Sequence, residues 1–189
     1  MKKRLFGFLL LLIVGSNISA QNDVDKRVKE IRKVYTEIAQ NIEAVEKDDE
    51  SGRTGPLAVN ELIINKLNRS WAAVGNYRVE YRFYYQNQGE EPYPTQLVKV
   101  TQTTESAARR YYKEFVYGET GSLIFVFEKS SESETPEETR IYFNREKAVR
   151  IVQGEKVNDR LSDKQKSKVR EALKDSVRVK RIFTDSIEG

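Results

Sequence analysis

From Asp23 to Glu50 the apolar positions fall at Val24, Val28, Ile31, Tyr35, Ile38, Ile42 and Val45, in alternating steps of four and three residues. That spacing places them on one stripe and predicts a long amphipathic helix. The same alternation suits a coiled coil, so a homodimer through the 23–50 helix competes with docking on the chain's own sheet. An aromatic residue in the seam favours docking. Lys47 to Pro56, with clustered charges followed by Ser51-Gly52 and Gly55-Pro56, breaks the period and reads as a loop. Leu57 to Leu67 reads as a strand through Leu62-Ile63-Ile64.

From Tyr77 to Tyr85 the period changes to two: Tyr77, Val79, Tyr81, Phe83 and Tyr85 alternate with Arg78, Glu80, Arg82 and Tyr84. This is a half-buried strand, with the first set predicted to face the core and the second to meet solvent or a ligand. Gly89 to Pro94 closes it in a loop, and Gln96 to Thr104 is the next strand. Arg109 to Tyr117 and Leu123 to Lys129 flank Gly118-Glu-Thr-Gly121-Ser, a hairpin with glycines available for positive φ. Leu123 to Phe127 is apolar on both faces, which predicts a central strand. Ser130 to Thr139, acidic and containing Pro136, reads as a polar loop; Arg140 to Phe143 and Ala148 to Val152 then form a second hairpin around Asn144-Arg-Glu-Lys147. Ser162 with Gln165 makes a capping box that opens a last helix, whose apolar positions are Val169, Ala172, Leu173, Val177 and Ile182.

Helix, a meander of about six antiparallel strands, and helix predict an α+β domain over residues 21–189, one sheet face covered by the N-terminal helix. The other face is predicted to be a broad solvated surface or, if the sheet curls, the lining of a half-barrel.

Residues 1–20 have a different character. Lys2, Lys3 and Arg4 precede the apolar run Leu5 to Val14, and Ser19-Ala20 supplies small residues, the three parts of a cleavable signal peptide. The run is too short for the ~20 residues of a spanning helix, so no transmembrane segment is expected in the mature form. Removal changes the charge picture: three of the 33 Lys+Arg and none of the 29 Asp+Glu lie in the leader, so the mature chain carries net +1 rather than +4. Export and near-neutrality argue against nucleic acid as a partner and point to the periplasm or the extracellular, outer-surface side.

The chain has neither cysteine nor histidine. Disulfides, thiol nucleophiles, Ser-His-Asp chemistry and His-zinc sites are therefore excluded. No Walker, nucleotide-binding or EF-hand pattern appears, and no cofactor or metal is expected. Asp23, Asp25 and Asp48-Asp49-Glu50 offer at most weak calcium ligands and read better as charged helix ends. Asn68-Arg-Ser70 fits a glycosylation acceptor, a pattern common by chance.

Eight of the ten tyrosines lie between Tyr77 and Tyr117, with Arg78, Arg82, Arg109 and Arg110 among them, a composition suited to stacking on sugar rings and to forked hydrogen bonds. Tyrosine also simply favours strands. The candidate ligand-binding residues are Arg78, Arg82 and Tyr84 on the predicted outer face, with Tyr112 and Glu114 of the following hairpin sharing it; the ligand would be a glycan or a protein. A rival enzyme reading, a carboxylate-dependent hydrolase of envelope glycans, would use pairs such as Glu80 and Glu114. A third reading is a self-associating envelope protein. The last helix carries a basic stripe from Lys164 to Arg181, either solvated or turned toward lipid headgroups, an acidic partner or a polyanionic glycan, and Glu132, Glu134, Glu137 and Glu138 form an opposite pole.

The leader, the Ala20-Gln21 junction, the cysteine-free remainder and the stretch Arg110-Tyr-Tyr-Lys-Glu-Phe-Val-Tyr117 followed by Leu123-Ile-Phe-Val-Phe-Glu-Lys129 resemble small secreted proteins of Bacteroidetes. The resemblance covers about half the chain. It implies a periplasmic or outer-surface location and brings no catalytic residue or ligand with it.

Overall fold

The computed structural model describes residues 5–47, 57–72, 75–86, 96–107, 109–131 and 137–188, with side chains from Gln21 to Ile187. The expected loops at 48–56 and 89–94, and Glu132 and Glu134 of the acidic pole, lie outside the described residues. Two helices, α1 (Leu5–Lys47) and α2 (Asp163–Glu188), enclose one antiparallel sheet of nine strands. The strands are β1 (Ala58–Ile64), β2 (Ser70–Trp71), β3 (Gly75–Gln86), β4 (Gln96–Ser106), β5 (Arg109–Tyr117), β6 (Leu123–Ser130), β7 (Glu137–Asn144), β8 (Lys147–Gln153) and β9 (Lys156–Asn158). The architecture is α+β.

The sheet runs β1-β3-β4-β5-β6-β7-β8-β9, with β2 paired beside β1 on the same edge of β3. It is not closed into a barrel, so the half-barrel expectation gives way to an open sheet with β1 and β9 at its ends. The sheet has nine strands against about six expected; β2 and β9, which no predicted segment covers, are each too short to display a period. The loop expected from Ser130 to Thr139 is also shorter, because Glu137, Glu138 and Thr139 already pair with β6.

Both predicted hairpins form. Tyr117 faces Leu123, and Gly121 adopts φ +69°, with its N–H donating to the Gly118 carbonyl at 2.8 Å. Between β7 and β8, Asn144 faces Lys147, and Arg145 and Glu146 both take positive φ, the sense that matches strand twist in a two-residue turn. The first four residues of β6 are buried, as their two-sided apolarity requires, and β6 lies in the middle of the sheet.

The stripe of α1 lies on the sheet: Val28, Ile31 and Ile38 are buried against Tyr84, Val98, Val116, Ile124, Phe125 and Tyr142. The stripe thus docks on the chain's own sheet, the alternative favoured over a homodimer through this helix. The helix is tied down from its first described side chain. Gln21 Nε2 donates to Asp159 at 2.7 Å, and Arg150 forks onto Asp159 at 2.6 and 2.7 Å while reaching Asp25 at 2.7 Å. Hydrogen bonds from Arg150 hold the Asp159 carboxyl below the ordinary carboxylate range.

The second face is not open either. Helix α2 covers it, packing Val169, Ala172, Val179 and Phe183 on Val79, Tyr81, Phe83, Phe115, Tyr117, Val126 and Ile141. The face left open by the sequence reading is thus the second half of the core. Along α2 the buried stripe passes through Ser176, 4% exposed, and leaves Val177 69% exposed, contrary to expectation. Steps of four and three from Ala172 lead to Ser176 and Val179, and the Ser176 hydroxyl is satisfied by Tyr117 Oη at 3.2 Å. The predicted capping box closes the start of α2. The Ser162 N–H donates to Gln165 Oε1 at 3.0 Å, and the Gln165 N–H to Ser162 Oγ at 3.3 Å.

Among the described residues no helix is long and apolar enough to cross a membrane.

Candidate functional site

Directly opposed residues of an antiparallel sheet share a face, so the strand register sorts the candidate residues into rows. Glu61, Arg82, Thr101, Glu114, Phe127, Arg140 and Val152 form one row from β1 to β8. Glu80, Thr103, Tyr112, Lys129 and Glu138 form the next, and Arg78, Glu105 and Arg110 a third. On the other side of the Arg82 row lies Tyr84, opposite Lys99, which faces Val116. Arg78, Arg82, Tyr84, Tyr112 and Glu114 therefore share one face, as predicted. It is the face that α1 crosses.

Two of the five are consequently buried rather than presented to solvent. Tyr84 is 4% exposed, its hydroxyl donating to Glu46 of α1 at 3.3 Å, and Glu114 is 5% exposed. Alternation along β3 separates two faces but carries no label saying which one a distant helix will cover.

An ionised carboxylate under a helix must be compensated, and Glu114 has three donors. Lys99 Nζ donates to Oε1 at 2.9 Å, Tyr112 Oη to the same atom at 2.6 Å, and Tyr35 Oη to Oε2 at 2.8 Å. Lys99 Nζ also lies 5.0 Å from the centre of the Tyr35 ring. Burial, reinforced by the Glu114 charge, pushes both phenols well above their ordinary pKa, so they act as permanent donors. This cluster locks α1 in register on the sheet.

The arginines of the outer rows are engaged with acids. Arg82 Nε lies 2.9 Å from Glu61 and 3.2 Å from Glu80; Arg78 Nη2 lies 3.0 Å from Glu80. These rows form a lattice of alternating charge. The enzyme reading loses its pair here, since Glu114 is consumed by three donors and Glu80 by two arginines. Among the described residues no group of acids is placed to hold a metal.

Beside α1 the sheet opens into a groove of about 530 Å³. Arg32 and Tyr35 of α1 form one wall, and Phe127, Arg140, Tyr142 and Val152 the floor and the other wall. Phe125 beneath them packs on Tyr142 at 5.1 Å and on Tyr35 at 5.4 Å between ring centres. The Arg32 guanidinium lies over Tyr142 at 5.8 Å, and that of Arg140 over Phe127 at 5.4 Å. The sequence reading missed this group. Arg32 sits beside the α1 stripe, and Phe127 and Arg140 are neighbours solely through the β6–β7 register. A small signal was available, because Phe127 and Arg140 were both assigned to strands of consecutive hairpins.

A larger groove, about 780 Å³, lies between the start of α2 and the opposite sheet face. Its charges answer one another in a ladder: Lys168 to Glu128 at 3.0 Å, Glu128 to Lys113 at 3.3 Å, Lys113 to Asp175 at 2.8 Å, and Asp175 to Arg178 at 3.2 Å. Burial pulls the Lys113 pKa down, but Glu128 and Asp175 outweigh it and hold the ammonium above its usual value. Further along, Lys180 donates to the Gly121 carbonyl at 2.8 Å. Part of the basic stripe therefore fastens α2 to the sheet, and this groove offers no single sign of charge to a polyanion. The smaller groove is the better ligand site on chemical grounds.

Comparison with protein-family models, with curated proteins and with solved structures finds no match for the chain.

Proposed function

We propose that the chain is an exported binding protein, soluble once its leader is removed, which recognises its ligand on the part of the Tyr/Arg-rich sheet face left open beside α1. The observation that carries this reading is the groove with two guanidiniums lying over aromatic rings, continuous in register with the charged rows of Arg82 and Tyr112. Aromatic floors with a few convergent polar groups are the usual composition of small-ligand sites. The leader pattern supplies the location, the periplasm or the outer surface. Docking of α1 from Gln21 onward is compatible with a mature chain that begins there.

Two measurements test the proposal. Intact-mass analysis of protein exported by a Gram-negative host is expected to give a chain starting at Gln21; a full-length chain resident in the cytosol refutes export. On a glycan array, Arg82→Ala and Arg140→Ala are each expected to reduce the wild-type signal about tenfold while melting like wild type. Unchanged binding by both variants rejects this face. Tyr84→Ala is unsuitable for the purpose, because Tyr84 belongs to the core beneath α1.

A further inference from the structure

Resting on that reading of the face, we propose that the groove beside α1 recognises a carboxylate carried on a six-membered ring. The charge distribution points to an anion. Among the described residues no carboxylate lies within ion-pair distance of Arg32, whose Nε donates a long 3.4 Å hydrogen bond to Tyr142 Oη. Arg140 gives Nη2 to Glu138 at 2.6 Å, and Glu138 is shared with Lys129 at 3.4 Å. The groove lining thus carries two guanidiniums and no acid, Arg140 being paired with Glu138 outside it and the nearby Glu114 matched by Lys99. A guanidinium stacked on a ring keeps its N–H edge in plane, and that edge fits a carboxylate as a fork.

The shape points to a ring. Tyr142 and Phe125 are buried beneath the groove, and the half-buried Tyr35, Phe127 and Val152 form the accessible part of its lining, an apolar platform. Such a platform stacks a planar or chair-shaped ring and gives little to an extended chain, which would need enclosure. Arg140 and Tyr142 are two residues apart on one strand face, about 7 Å along β7, which places both guanidiniums at the edge of the same platform. The volume lies within the ~300–1,000 Å³ range of small-molecule sites.

Two sources share this chemistry: uronic acid residues of acidic glycans and free aromatic acids. Calorimetric titration of the 21–189 chain at low salt with glucuronate, benzoate, glucose, benzyl alcohol and inorganic phosphate separates them. Glucuronate, benzoate or both are expected to bind. Affinity should fall about tenfold in Arg32→Gln and in Arg140→Gln, and stay unchanged in Arg181→Gln on α2. Arg32→Lys, which keeps the charge and loses the fork, should resemble Arg32→Gln. Equal binding of glucose or benzyl alcohol overturns the proposal, as does tighter binding of phosphate, absence of binding by either acid, or retention of affinity in both glutamine variants. If neither acid binds while the array signal still falls in Arg82→Ala, the carboxylate proposal fails alone. If the array signal ignores both Arg82 and Arg140, the parent reading fails with it.

Discussion

Glu114→Gln is expected to destabilise the protein by about 3–5 kcal/mol, because it strands the Lys99 ammonium in a site where the lysine side chain is 8% exposed. For a chain of this length that corresponds to a melting temperature lower by about 10 °C, measurable by circular dichroism. The loss exceeds the value of the ion pair itself, since most of it is the penalty of a buried charge left without its partner. Adding Lys99→Met to Glu114→Gln should therefore recover much of the loss. The Tyr112 hydroxyl can still donate to the glutamine carbonyl while the glutamine NH2 donates to the Tyr35 hydroxyl, and the thioether fills the space of the lysine stem. A single variant that melts within about 1 kcal/mol of wild type would mean that water, rather than α1, compensates the pair. A double variant no better than the single would place the loss in the Tyr35 and Tyr112 hydrogen bonds.

Raising the pH from 9 to 11 should remove about 4 kcal/mol of stability through Tyr35, Tyr112 and Tyr117, with smaller losses through Tyr81, Tyr84 and Tyr85, whose pKa values burial also raises. Tyr35, Tyr112 and Tyr117 have their pKa values raised by burial, and the first two also by Glu114; hydrogen bonding to Ser176 opposes the effect at Tyr117. In the unfolded chain each titrates near its ordinary value of about 10. Above that pH the unfolded state sheds protons that the folded state retains, so the equilibrium moves toward unfolding. The stabilisation is complete below about pH 10 and is lost as the pH climbs toward the folded-state values. Each phenol that stays protonated in the fold contributes about 1.4 kcal/mol per pH unit in the fully titrating range. Urea unfolding followed across this range, with tyrosinate absorbance recorded on the folded protein, checks both halves. Tyr112→Phe should reduce the pH-dependent loss between pH 9 and 11 by about 1.4 kcal/mol. A folded protein whose tyrosines all ionise near pH 10 would contradict the burial argument.

Elements were legible wherever the controlling physics was local. The stripe from Val24 to Val45 gave α1 its docking face, the alternation from Tyr77 to Tyr85 gave β3 its two sides, and Ser162 with Gln165 marked the start of α2. The hairpin around Gly121 was legible because its turn needs a positive φ. Val177 was misplaced because a hydrophobic side chain at a nearly helical spacing outweighed Ser176 in the sequence reading. In the fold, Tyr117 provides Ser176 with a partner. β2 and β9 carry two and three residues, too few for any period.

The candidate site was half legible for the same reason. Register placed Tyr112 and Glu114 on the face of Arg78 and Arg82, as alternation implied, yet Arg32 reaches Tyr142 across 110 residues of sequence, and Arg140 meets Phe127 through the β6–β7 register. By itself the sequence determined the leader pattern, the order of helices and strands, the absence of thiol and imidazole chemistry, and the pairs of residues that share a strand face. The tertiary structure alone decided that both sheet faces are core, that Tyr84 and Glu114 lie beneath α1, and that a groove remains beside it. Periodicity is set by the geometry of neighbouring residues, whereas the choice of which stripe covers which face is settled by the burial of apolar surface over the whole chain.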